Sequence, residues 1–94
     1  MYLGHYAFDG DPTLIEAAYR RLAATIPPEN LELHVVVARP DGLDIFDACP
    51  DEAAFSAFHT SEEFAGALAA SGLPTPRITG LGDVVSAAIK EPVG

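Results

Sequence analysis

The sequence predicts a small α+β domain, and three observations support this prediction. The first is the length of 94 residues, which allows one domain, expected over residues 1–94. The second is a globular composition, with 49% hydrophobic and 20% charged residues. The third is the succession of strand-like and helix-like patterns separated by turn residues. Together they predict strands and helices in the order β-α-β-β-α-β.

The first strand and the first helix are marked by a turn between them. An aromatic-rich run from Tyr2 to Phe8, apolar on both faces, predicts the strand. Asp11 can cap the following helix, with Pro12 at its first position. Pro27-Pro28 is expected to end this helix. The apolar stripe of the helix follows i, i+4 spacing and consists of Leu14, Ala18, Leu22 and Ile26, with Ile15 and Tyr19 beside it.

The second and third strands are predicted to form an antiparallel hairpin. The strands run from Leu31 to Ala38 and from Leu43 to Cys49. The turn between them lies within Arg39 to Gly42, which contains proline, aspartate and glycine.

The second helical region is predicted to be interrupted. It should break or bend at His59, after which Thr60 and Glu63 form a capping box for a new helix. Gly72 is expected just beyond the end of that helix. Arg77 to Val85 is the last predicted strand.

This order of elements is the ferredoxin-like arrangement, a four-stranded antiparallel sheet with two helices on one face. Both faces of the first two strands are apolar, so the helices leave one apolar face open. A second copy of the chain is the simplest cover, and we expect a homodimer through the sheet face. If Val36 lies on that face, Val36→Asp weakens the dimer.

Charge and composition exclude several kinds of partner. The net charge is −9 and the five basic residues are scattered, so we expect no nucleic acid and no membrane partner. The longest apolar run, Val35 to Ala38, is too short to span a bilayer. The N-terminus lacks the pattern of a signal peptide, so we expect a cytoplasmic protein.

The sequence also gives no sign of a bound metal or cofactor. The single cysteine, Cys49, excludes an internal disulfide and a cysteine-based zinc site within one chain. Gly80-Leu81-Gly82 lacks the third glycine of a nucleotide-binding loop. We therefore expect no cofactor and no metal.

Four stretches of the sequence resemble one family of proteins. They are His5 to Phe8, Leu33 to Val36, Ile45 to Phe55 and Ala69 to Pro76. On these stretches, and over nearly the whole chain, the sequence resembles the dimeric α+β barrel superfamily of antibiotic biosynthesis monooxygenase domains, in particular small bacterial members of unknown function. The resemblance implies two sheets packed face to face in a dimer and a cavity in each subunit between sheet and helices. Relatives oxidise polycyclic phenols or anthrones without metal or flavin, degrade haem, or isomerise small aromatics.

The sequence departs from this family at three positions, and two of them bear on haem. Cys49 stands where relatives often have a tryptophan at the end of the third strand. Phe58 matches the helix tryptophan of the haem-degrading relatives, and Leu68 matches their histidine. Haem iron needs an axial side-chain ligand, and His59 lies too early in the helix to replace that histidine. Because the chain departs from the haem-degrading relatives at these positions, we expect no haem bound in their manner.

His34 and Asp47 are the leading catalytic candidates, because a two- or four-residue turn puts both on one sheet face. We expect the longer turn to place them directly opposite and the shorter turn to offset them diagonally, whereas a three-residue turn separates them. A carboxylate that accepts from an imidazole fixes its tautomer, which suits a general base acting on a phenolic or enolic substrate. His5 can join the pair from the neighbouring strand. The alternatives are a structural hydrogen bond or a pair at the dimer rim, and for His5 an edge position bonded to backbone.

Aromatic side chains suggest a pocket for a small aromatic ligand. The candidate lining residues are Tyr6, Phe46, Cys49, Phe55 and Phe58. Core and interface packing is the alternative for the aromatics. Cys49 is either a nucleophile at the start of a helix or a buried, inert thiol.

Three classes of function remain open at this point. The first is a cofactor-independent monooxygenase or isomerase acting on a small aromatic or polyketide-like molecule. The second is a small-molecule binding protein without turnover, and the third is a structural dimer module. A cavity into which His5, His34 or Asp47 points favours the first two, and a filled sheet–helix interface favours the third.

Overall fold

A computed structural model describes residues 1–28 and 31–89 of the chain. The predicted order of elements is confirmed, with the second helical region divided into two helices. Within the described residues the elements are β1 (Tyr2–Asp9), α1 (Pro12–Thr25), β2 (Leu33–Arg39), β3 (Gly42–Cys49), α2 (Glu52–His59), α3 (Glu62–Ser71) and β4 (Arg77–Asp83).

The helix starts follow from local capping chemistry. The side chain of Asp11 accepts hydrogen bonds from the backbone N–H groups of Thr13 and Leu14, as the sequence predicts. The apolar stripe of α1 is rotated from the expected one, since Ile15 is buried and Leu14 is 70% exposed. Gly72 ends α3 with a positive φ of 85°, a conformation that glycine adopts without strain.

The predicted capping box of Thr60 and Glu63 is wrong. Thr60 has helical dihedral angles, which exclude it from an N-cap, and its hydroxyl donates to the Ser56 carbonyl at the end of α2. Ser61 is the cap of α3 instead, and its Oγ accepts from the Phe64 N–H at 3.1 Å.

The four strands form one antiparallel sheet in the order β2-β3-β1-β4. Pro40 and Asp41 form a two-residue turn between β2 and β3, because Arg39 pairs with Gly42. This register places His34 directly opposite Asp47. The expectation that a two-residue turn offsets these two residues diagonally is therefore wrong. When the pairs are counted back along both strands, a two-residue turn gives the same partners as a four-residue turn.

The core lies between the helices and one face of the sheet. Side chains of β1 and β3 alternate, so that Tyr6, Phe8, Leu43 and Ile45 point to the helices. The remaining core residues come from the helices, the end of β3 and the segment between α3 and β4. They are Ile15, Ala18, Leu22, Cys49, Phe55, Phe64, Ala67 and Leu73.

The opposite face of the sheet is open, and we call it the open face. It presents Leu33, Val35 and Val37 of β2 and Phe46 of β3, and Val35 and Val37 are 39% and 42% exposed. Val36 packs against the core on the helix side, so the expectation that Val36→Asp tests a sheet-face dimer is wrong. Because side chains alternate along a strand, the two neighbours of Val36, which are Val35 and Val37, face outwards.

In the described part of the chain, no helix is long and apolar enough to cross a bilayer.

Candidate functional site

A cavity lies between α1 and the helix side of the sheet. Its volume is about 40 Å³, and with its solvent-open mouth the cleft contains about 430 Å³ of empty space. The inner part has room for about three water molecules, since one water needs about 10–15 Å³ of such space. The walls are mostly apolar and include Phe8, Leu22, Ile26, Ile45, Phe58 and Phe64.

Four polar side chains also line this cavity: Tyr6, Tyr19, His34 and Asp47. They come from β1, α1, β2 and β3, so three strands and one helix meet here. A few polar groups set in apolar walls are typical of small-molecule sites.

His34 and Asp47 form a hydrogen-bonded pair at the cavity wall. Nδ1 of His34 lies 2.5 Å from Oδ1 of Asp47, and Asp47 is 6% exposed. An ionised carboxylate has only acceptors, so Nδ1 carries a proton and donates it. In the neutral ring Nε2 then presents a lone pair.

The Tyr19 hydroxyl, from helix α1, forms a hydrogen bond with that lone pair. Its hydroxyl lies 2.6 Å from Nε2 of His34, and the two rings are nearly parallel, with an interplanar angle of 17°. Because Nε2 of the neutral ring is an acceptor, the Tyr19 hydroxyl donates. Tyr19, His34 and Asp47 therefore form a continuous chain of hydrogen bonds, which we call the relay.

Tyr6, another residue of the cavity wall, carries a buried hydroxyl. The residue is 2% exposed, and its hydroxyl has no hydrogen-bond partner among the described residues. Burial raises its pKa well above the usual value, and the nearby Asp47 and Cys49 raise it further. The Tyr6 phenol thus remains protonated and able to donate.

The structure brings together only some of the residues that the sequence singles out. His34 and Asp47 meet at the cavity, and Tyr6 and Phe58 line it. Their roles in binding or catalysis remain predictions.

The expected convergence of His5 on this pair needs correction. His5 lies on the open face, where its ring stacks on Phe46 at 4.6 Å and its Nε2 lies 3.0 Å from Oδ1 of Asp44. Its partner is thus a side chain and not the backbone. Phe46 shares that face and does not line the cavity, because residues paired across β1 and β3 point to the same side.

Cys49 and Phe55 are also absent from the cavity wall. Both are buried in the core, at 6% and 4% exposure. The Phe55 ring fills the space beside Gly4, which has no side chain. Burial raises the pKa of the Cys49 thiol, so it is poorly placed as a nucleophile.

Sequence reasoning missed the role of Tyr19 in the relay. The available signal was a hydroxyl-bearing side chain beside the apolar stripe of α1. A buried tyrosine hydroxyl usually finds a hydrogen-bond partner, and here that partner is His34.

The donor set does not favour a metal or haem. Among residues 1–28 and 31–89, no three histidine, cysteine or carboxylate side chains lie together in a way that could hold a metal ion. Leu68, which matches the histidine of haem-degrading relatives, packs against the core and offers no ligand atom. These residues do not fit a haem held in the manner of those relatives.

No protein-family model and no curated protein sequence matches the chain, but solved structures do. A protein of unknown function from Nitrosomonas europaea is 24% identical, with a TM-score of 0.63 over 99% of this chain and 96% of its own. A "putative antibiotic biosynthesis monooxygenase" from Deinococcus radiodurans is 15% identical, with a TM-score of 0.65 over 97% of this chain and 100% of its own. One described in the same words from Chloroflexus aurantiacus is 15% identical, with a TM-score of 0.60 over 94% and 97%. The chain therefore has the ferredoxin-like α+β fold that these solved structures share.

Proposed function

We propose that this protein is a cofactor-independent monooxygenase or isomerase that acts on a small aromatic or polyketide-like molecule. The observation that supports it most directly is the relay of Tyr19, His34 and Asp47 in the wall of an apolar cavity. Two neighbours of the same fold, each described as a "putative antibiotic biosynthesis monooxygenase", support this class.

The shared first step of both reactions is removal of a proton from the substrate. A phenolic or carbon acid gives its proton to the Tyr19 oxygen, while the proton of Tyr19 passes to Nε2 of His34. The imidazolium that forms is stabilised by the carboxylate of Asp47, which already accepts from Nδ1. The net result is a substrate anion beside a protonated His34.

The two reactions differ in what the substrate anion does next. In the monooxygenase, a CH₂ group activated by a neighbouring ring or carbonyl reacts with O₂. One oxygen atom becomes a new carbonyl and the other leaves as water, and the substrate supplies all the electrons. In the isomerase, the proton returns to a different carbon and no O₂ is consumed.

The alternative is a binding protein without turnover. It is favoured by one observation, the occupation of Nε2 of His34 by the Tyr19 hydroxyl, which leaves no free lone pair for a substrate. Such a site would still hold a small aromatic molecule against its apolar walls.

We further propose that a second copy of the chain covers the open face. The support is the apolar surface of Val35, Val37 and Phe46, which alternates with the residues packed under the helices. His5, Asp44 and Arg39 would border this interface as a hydrogen-bonded network, because Asp44 accepts from His5 at 3.0 Å and from Arg39 at 2.8 Å.

We also propose a cytoplasmic location, in which Cys49 stays reduced.

The test is a screen of substituted phenols and 1,3-diketones in D₂O. An oxygen electrode detects O₂ uptake, and proton NMR detects deuterium incorporation at carbon. We expect the wild type to catalyse one of these reactions and His34→Gln to lower its rate by about 10² to 10⁴. His59→Gln is the matched control, because His59 packs against Phe55 outside the cavity. Binding without either reaction across the screen would support the non-catalytic alternative.

A further inference from the structure

Tyr6 lines the cavity, and its hydroxyl is a buried hydrogen-bond donor that the described residues leave unsatisfied. The residue is 2% exposed, and its ring is held by Phe55 and Phe64 at centroid distances of 6.0 and 5.6 Å. A buried donor without a partner costs free energy, so a group that accepts from it gains that free energy back on binding. The ring contacts hold the Tyr6 side chain, and with it the hydroxyl, in place.

We propose that the cavity binds a one-ring, enolisable carbonyl compound whose carbonyl oxygen accepts a hydrogen bond from Tyr6. The acidic hydrogen of this compound faces the relay. The assignment of a reaction rests on the proposed function, whereas the binding of the carbonyl group does not.

The size of the cavity selects the single ring. Its inner volume of about 40 Å³ holds about three waters, which corresponds to one small ring. The additional rings of a polycyclic compound would have to lie in the open mouth, in contact with solvent. The apolar walls formed by Leu22, Ile45 and Phe58 suit a hydrocarbon ring rather than a polar chain.

The charges around the cavity select a neutral ligand. Asp47 is buried at the wall, and the phenol of Tyr6 remains protonated because burial and Asp47 raise its pKa. A ligand carboxylate would meet the charge of Asp47 in a poorly solvated space. A carbonyl oxygen accepts from Tyr6 without bringing a charge into the cavity.

The two sides of the site then have complementary roles in enolisation. The proton leaves the α-carbon for the Tyr19 oxygen, and the proton of Tyr19 moves to Nε2 of His34. The C–H electron pair forms the new C=C bond, and negative charge develops on the carbonyl oxygen. Tyr6 donates to that oxygen, so its hydrogen bond strengthens as the charge grows.

The experiment compares two probes of equal shape, cyclohexanone and methylenecyclohexane, by ¹⁵N–¹H NMR titration of the wild type and of Tyr6→Phe. We expect cyclohexanone to bind about tenfold more weakly to Tyr6→Phe, and methylenecyclohexane to bind both proteins equally. Tyr2→Phe is the matched control, because the Tyr2 hydroxyl lies near Gly80 and not at the cavity. Equal losses for both probes, or no loss for either, would overturn the proposal.

A second measurement does not depend on a variant. The carbonyl stretch of cyclohexanone bound to the wild type should move to lower frequency, as for a hydrogen-bonded ketone, and an unshifted stretch would contradict the inference. Anthrone should cause no shifts at the cavity, and binding there would contradict the assignment to a single ring.

The outcome is separable from that of the proposed function. His34→Gln should keep the Tyr6-dependent binding of cyclohexanone. If the screen finds no proton transfer while this binding persists, the proposed function fails and the carbonyl site stands. If proton transfer occurs and Tyr6→Phe leaves ketone binding unchanged, the carbonyl site fails and the proposed function stands.

Discussion

The Tyr19 hydroxyl lies 2.6 Å from Nε2 of His34, so the proton-accepting nitrogen of this histidine is not free to meet a substrate directly. Asp47 holds the other nitrogen of the ring. Any proton that His34 accepts must therefore pass through Tyr19 or wait until Tyr19 moves away.

Replacement of Tyr19 distinguishes these two routes. In the relay the Tyr19 oxygen receives the substrate proton, so Tyr19→Phe should lower the rate of deuterium incorporation or O₂ uptake by about 10²-fold or more. Asp47→Asn should also lower it, by less than the loss of His34. A faster Tyr19→Phe protein would show that Tyr19 blocks His34, and thermal melts must show that each variant is folded.

The open face provides a test of the homodimer. Val35→Asp places a charge at a site that is 39% exposed in one chain and would be buried between two, so it should raise the dimer dissociation constant by roughly tenfold or more. Leu14→Asp is the control, since Leu14 is 70% exposed on α1, away from the open face. Sedimentation velocity at micromolar concentration measures both. A wild type that sediments as a monomer would refute the dimer.

Replacement of glycine by alanine should have opposite effects on the free energy of unfolding at two positions. A Cβ on Gly4 would lie 2.1 Å from the buried ring of Phe55, so Gly4→Ala should lower the free energy of unfolding by about 1–3 kcal/mol. Gly66 lies inside α3, and outside its chain neighbours and the helix's own backbone no atom lies within 4 Å of such a Cβ, so Gly66→Ala should raise the free energy of unfolding by about 0.5–1 kcal/mol. Urea denaturation measures both, and a stabilised Gly4→Ala protein would contradict the packing at β1.

Cys49 should behave as an inert thiol in the folded protein. Burial and the nearby Asp47 raise its pKa, so at pH 8 a smaller fraction is thiolate than in the unfolded chain. We expect an aromatic disulfide reagent to react roughly tenfold or more slowly with the native protein than with the protein in denaturant, where one thiol per chain should titrate. The native rate should rise only at a higher pH than the unfolded rate does. Equal rates in both states would contradict this burial.

The sequence by itself determined the features that depend on neighbouring residues. Asp11 caps α1 because the acceptor and the free N–H groups lie within one turn. His34 and Asp47 share a face because a tight turn fixes the register of adjacent strands, although the pairing is direct and not diagonal. The order of elements followed from the same local periodicities.

Only the tertiary structure decided which of these faces meet. β1 and β3 are far apart in the chain, and no local turn fixes the register in which His5 pairs with Phe46. That register brings the His5 side chain to Asp44, 39 positions away. His5 therefore lies on the open face, whereas His34 lies on the helix side of the sheet. The rotation of α1 about its axis is also set by packing, and it exposes Leu14 while it brings Tyr19 to His34. Local chemistry selects helices, turns and strand faces, whereas the composition of the cavity depends on contacts between residues distant in the chain.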